Sequence, residues 1–527
     1  MAIANRSITS RALCAALLIS TALLSACNGG SADSAGGTGT NPTPTPGQLL
    51  QTPPQLLTTI NAAQMLLQLT GASNLQTQQL LNLVGSPVCD IAVYHIEYAT
   101  VGGANEATTA SGALMVPTGT HSGCTGPRPV VLYAHGTSTD RGYNIADVTK
   151  QQNAEGIFLA AAFASQGYIV VAPNYVGYDT STLPYDAFLV GDQQSGEMID
   201  ALTAARSALP AADASSTSDS GKLFITGYSQ GGYVALATHR AMQARGMPVT
   251  ASAPMSGPYA LAAFVDAIFD GQVNGEAPVL ATLLFTAYQH SYGDIYTDPA
   301  AVFESPYVTG IDSLFPTTAT RGELYTQGKL PQFAFFSLTP PAPAYAAVTP
   351  ATVPADLARV FALGFGTGNL ITNSYRLAWL TDAQANPDGA FPIVTTGGPA
   401  ASPGLAMRAA LKQNDLRNWL PSAPVLLCGG DQDPEVFWLN AQLEQNYWLA
   451  QSAAAPLTVL DLDASIPAGD PYSTVKTQFK LARDAVAADA VLHGASDQGY
   501  EAVETAYHTT LVPPFCLSAV KSFFDAR

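Results

Sequence analysis

Gly227-Tyr228-Ser229-Gln230-Gly231 is the segment of this chain best suited to nucleophilic chemistry. A serine hydroxyl is a weak nucleophile near neutral pH. It needs a base to take its proton and a third group to orient that base. The apolar run 223–226 leads into the pentapeptide, and 232–245 leads out with Val234, Ala237 and Ala241 at helical spacing. A strand–turn–helix with Ser229 at its apex strains the backbone, and the glycines leave room for that turn. The hydroxyl then stands above a sheet at a helix N-terminus, where the dipole favours developing negative charge.

Seven histidines are available as the base. His508 fits best: it comes after the last expected strand, in a turn-like Tyr507-His508-Thr509-Thr510, before a final helix expected over 516–524. His493, at the end of a helical stretch, is the alternative. The orienting acid is expected in a loop after a strand between serine and histidine, here Gly429-Gly430-Asp431-Gln432-Asp433-Pro434-Glu435-Val436. Asp433 is the expected carboxylate, with Asp431 and then Glu435 as alternatives. Two backbone amides should meet the developing oxyanion: that of Gln230, and that of Thr137 in Ala134-His135-Gly136-Thr137. In this loop Gly136 should let the backbone approach the substrate, and His135 should fix the loop.

These residues need a sheet to carry them. Residues 89–100 alternate as a half-buried strand should, and 113–116 supplies an antiparallel partner. The runs 130–134, 168–172, 223–226, 250–253, 425–428 and 457–460 are continuously apolar, as in strands covered on both faces. Helical segments between them imply an α/β fold with a mostly parallel sheet. The series stops over 258–422, a stretch that reads mainly helical (278–289, 355–363), so a cap insertion is expected there. The core then comprises 49–257 and 423–527, beginning with two short helices within 49–84.

The 527 residues carry 21 Lys+Arg against 39 Asp+Glu, a formal charge of −18, which excludes a general nucleic-acid binder. Charged residues make up 11%, far below the roughly 25% of an average soluble chain. Arg6 and Arg11, an apolar run 12–24 and then Leu24-Ser25-Ala26-Cys27 form the pattern of a bacterial lipoprotein leader over 1–26. Cys27 would receive the lipid, and Asn28 after it favours the outer membrane or cell surface. Residues 27–48, rich in Gly, Ser, Thr and Pro, read as a flexible tether. Export leaves Cys89, Cys124, Cys428 and Cys516 to pair in an oxidising compartment, and chain order suggests Cys89–Cys124 and Cys428–Cys516. No metal-ligand spacing, phosphate loop or dinucleotide loop is present, so no cofactor is expected.

With these residues placed, the chain resembles α/β-hydrolases of the secretory-lipase and carboxylesterase kind. The likeness rests on Tyr133-Ala134-His135-Gly136-Thr137, on Val171-Ala172-Pro173-Asn174-Tyr175-Val176-Gly177-Tyr178, and on Gly227 to Gly232, Gly430 to Val436 and Tyr507-His508. Asn174 stands where such families often carry Asp. The resemblance implies a serine-dependent esterase or lipase acting on a small or lipid-like ester, and the leader pattern implies that it is held to the membrane only by its N-terminal lipid. An exported peptidase of the same fold, or a surface lipoprotein that keeps the fold without catalysis, are the alternative readings.

Overall fold

The computed structural model describes residues 44–71, 81, 83–150, 154–212 and 216–527. The leader, Cys27 and most of the tether lie outside the described residues.

Among the described residues, nine strands form one sheet. In chain order they are β1 (Gln55–Ile60), β2 (Asp90–Val101), β3 (Ala107–Thr118), β4 (Gly126–Ala134) and β5 (Ile169–Pro173). After these come β6 (Thr217–Tyr228), β7 (Ala251–Met255), β8 (Val425–Gly429) and β9 (Leu457–Asp461). Their order across the sheet is β1-β2-β3-β5-β4-β6-β7-β8-β9. The pairs from β1 to β5 are antiparallel, and the rest, from β5–β4 to β8–β9, are parallel. Every residue of β5, β7 and β8 is buried, which is why these runs are apolar without alternation. Helices Gly191–Ala208 and Gln230–Ala244 pack on each other and on strands of this sheet. Helix Val512–Asp525 packs on β6, β7 and β8, with Phe524 stacked on Phe224 at 4.6 Å.

Two expectations change near the N-terminus. Residues 49–84 do not open with a helix: β1 comes first, paired antiparallel with β2, helix Ala62–Gly71 follows, and residues 81, 83 and 84 are helical again. Pro53-Pro54 disfavours a helix start there, and Thr58, Thr59 and Ile60 are β-branched residues suited to an edge strand. Strand β2 is not half-exposed, because both of its faces are covered. On one, Thr100 Oγ1 donates to Asp200 at 2.8 Å on helix Gly191–Ala208; on the other, His95 Nε2 meets Asp179 at 2.7 Å.

Two disulfides brace the ends of strands. Cys89–Cys124 joins the residue before β2 to the turn before β4, and Cys428–Cys516 joins β8 to the last helix. Between β7 and β8 the chain adds no strand to the sheet and carries helices Leu261–Phe269, Ala277–Tyr292, Arg321–Thr326, Ala358–Leu363, Asn373–Ala385 and Ala406–Asn414. Its interior is aromatic, with Phe269 stacked on Trp379 at 3.9 Å, and it is continuous with the sheet core. Buried arginines knit it further. Arg417 bridges Asp388 at 2.7 Å and Asp415 at 2.9 Å, and Arg408 bridges Asp266 at 2.8 Å and Asp382 at 2.7 Å.

Candidate active site

Ser229 sits between β6 and helix Gln230–Ala244 with φ 59° and ψ −122°, a left-handed conformation that L side chains rarely adopt. Its amide donates to Met255 O at 3.0 Å, which anchors the turn to β7. The glycines are required by space: a Cβ on Gly227 would lie 2.3 Å from Gly231 O, and one on Gly231 would lie 1.9 Å from Ala134 O. The sequence of the turn and its geometry therefore imply each other.

His508 reaches this serine from the far end of the chain. Its Nε2 is 2.9 Å from Ser229 Oγ, and its Nδ1 is 2.8 Å from Asp433 Oδ2. Asp433 is 1% exposed and its other oxygen accepts the Glu435 and Val436 amides at 3.0 Å each. Thus the structure brings Ser229, His508 and Asp433 together. Their setting differs from expectation in one respect: His508 lies not in a turn but in a π-helical stretch, Tyr507–Leu511, between helices Tyr500–Ala506 and Val512–Asp525. Tyr228 OH donates to His508 O at 2.5 Å and helps hold that stretch. His493 lies exposed at the end of helix Ser473–Leu492, and Asp431 is exposed with its amide donating to Asp461, so neither occupies the position considered for it.

Burial alone would lower the His508 pKa, but the charges of Asp433 and Glu435 and the hydrogen bond to Asp433 outweigh it and raise it to about 9. Glu435, half-buried one turn from Asp433, is pushed by burial to about 7. It is not the orienting acid; it lines the cavity together with Glu155 and Glu276.

That cavity, about 290 Å³, is lined by Gly136, Thr137, Ser229, Glu276, Arg321, Glu435 and His508 among others. Arg321 pairs with Glu276 within it. Nothing in the local sequence points to these two, because the segment between β7 and β8 brings them in from positions 45 residues apart. A second arm, about 60 Å³, opens from Thr137, Ser229 and Gln230 and is lined by apolar side chains. Gln230 is the first residue of the helix, so its amide has no acceptor within the helix. In the facing loop, the His135 ring stacks on Tyr175 at 4.1 Å with its nitrogens 2.6 Å from Gly136 O and 3.0 Å from Asn174 O. Gly136 lines the cavity; it has no positive φ, and a Cβ there would make only ordinary contacts with the protein. Its amide donates to Glu155, at 3.2 Å to each oxygen. Asn174 is buried, accepting the Ile145 amide at 2.8 Å and donating to Ser111 Oγ at 2.9 Å.

A mostly parallel sheet, a strained serine turn after a central strand, and an acid and histidine after later elements define an α/β-hydrolase. Residues 143–266 match the family model of the secretory lipases. The rice cell wall degrading esterase LipA from Xanthomonas oryzae is similar in structure with a TM-score of 0.61 and 26% identity, over 85% of this chain and 99% of that one. A second structure of LipA, at 24% identity, covers 89% of this chain and 99% of its own, also with a TM-score of 0.61. A protein of Legionella pneumophila shares the fold with a TM-score of 0.59 and 18% identity, over 91% and 98% of the two chains. No curated protein matches the chain.

Proposed function

We propose that the protein is an exported serine hydrolase that cleaves carboxylic esters with an apolar acyl part, anchored by a lipid on Cys27 at the outer membrane or cell surface. The observation that carries the reaction is the unbroken chain of hydrogen bonds from Asp433 through His508 to Ser229 at the wall of a cavity. Ser229 Oγ attacks the acyl carbon as His508 Nε2 takes its proton, and Asp433 holds the Nδ1 proton and the ring orientation. The tetrahedral oxyanion sits against the Gln230 and Thr137 amides. Collapse releases the alcohol, which His508 protonates, and water then cleaves the acyl-enzyme by the same steps.

The two arms of the cavity support a division of the substrate. Phe188, Leu261, Phe264, Ile268, Leu284 and Phe335 line the narrow arm and suit a short acyl chain. The wider arm, with Glu276, Arg321 and Glu435, suits the alcohol side. The likeness to an esterase supports ester over amide cleavage. Ser229→Ala should leave the melting temperature unchanged and abolish both hydrolysis of p-nitrophenyl butyrate and labelling by a fluorophosphonate. Turnover by that variant at the wild-type rate would refute the proposal.

A further inference from the structure

Of the carboxylates in the cavity wall, Glu155 is given no role in the steps or in the division of the substrate above. Glu155 stands in the first turn of helix Ala154–Ala162 and lines the cavity alongside Ser229 and Thr137. Three donors converge on it from the strand and loop that precede its helix. Tyr133 OH, near the end of β4, donates to Oε1 at 2.8 Å; Tyr143 OH, from the following loop, donates to Oε2 at 3.3 Å; the Gly136 amide donates to both oxygens at 3.2 Å. An N–H that points at Glu155 is not free to serve an oxyanion. The next N–H of the loop, on Thr137, belongs to the following peptide unit and is not engaged by Glu155.

Resting on the ester-hydrolase reading, we infer that Glu155 is a positioning residue. It clamps the Gly136 amide and thereby leaves the Thr137 amide as the donor of this loop to the oxyanion. The competing role is a charge that only steadies the helix N-terminus and the fold. Reach and charge separate the two. Glu155→Gln keeps an acceptor oxygen at the same distance without the charge, whereas Glu155→Asp keeps the charge and withdraws it by one methylene.

The test measures kcat and KM on p-nitrophenyl butyrate for the wild type and for E155A, E155Q and E155D, each scaled to active sites counted with a fluorophosphonate. Affinity for butylboronic acid, whose serine adduct mimics the tetrahedral intermediate, is measured beside them. E155A should lower kcat about tenfold to a hundredfold, as misplacement of a positioning group by about 1 Å can, with KM little changed and boronate affinity falling in step with kcat. E155Q should retain more kcat than E155D. If E155A does not fold, the order of the other two decides. An E155D equal to or better than E155Q, or a loss carried by KM with boronate affinity intact, would overturn the inference while leaving the hydrolase reading in place. A wild type that neither hydrolyses the ester nor takes the label would overturn both.

Discussion

The central strands and the segment between β7 and β8 are both buried, but different forces hold them. In β4 to β8 the contacts are backbone ladders and apolar side chains: Val131, Leu132, Ile225 and Leu427 are fully buried with no polar atom to satisfy. The other segment buries charge. Arg376, Arg408 and Arg417 lie inside it in a chain with only 21 Lys and Arg residues, the side chains of Arg417 and both of its aspartates being 0% exposed. Apolar burial is non-directional and tolerates small adjustments, whereas a guanidinium between two carboxylates accepts only one arrangement. The sheet needs bulk in the right place; the segment that walls the substrate cavity is specified by geometry.

The sharpest test of this contrast removes one buried partner. Arg417→Met leaves Asp388 and Asp415 buried and uncompensated, and should cost about 3–5 kcal/mol in urea unfolding; a loss below about 1 kcal/mol would dissolve the distinction. In the sheet, Ile225→Val removes one methyl group from a fully buried site and should cost about 0.5–1.5 kcal/mol with activity retained. The smallest effect is expected on pH dependence. His508 must be neutral to accept the serine proton, and its pKa is raised to about 9, so kcat/KM on a non-ionising ester should keep rising from neutral pH toward 9. Asp433, Glu435 and Glu276 are the charges that favour its protonated form. Glu435→Gln removes one of them and should move the acid limb of that profile to lower pH. A limb that stays in place would show that Glu435 does not act on the base.

What could be read from sequence follows how locally each feature is encoded. The serine turn is specified within about ten residues by glycines that sterics require, and the apolar runs mark β4 to β8 because strands covered on both faces cannot alternate. The Asp433 loop is marked by the strand that leads into it. Strand β1 was not legible as a strand, since an exposed edge has no pattern of its own and is defined by the partner it pairs with. His508 reads as part of a turn-like Tyr507-His508-Thr509-Thr510 before a helix over 516–524, yet prolines are tolerated in the first turn of a helix, and here Pro513 and Pro514 open the last one. Glu155, Glu276 and Arg321 reach the cavity through tertiary packing, so no spacing along the chain announces them.

The bond between Cys428 and Cys516 has a consequence beyond stability. It lies five residues before Asp433 and eight after His508, so the strand that delivers the carboxylate and the helix that follows the imidazole are one cross-linked unit. Where thiols stay reduced, packing alone holds that unit together. The candidate reaction centre is completed as a covalent piece only once the chain meets an oxidant.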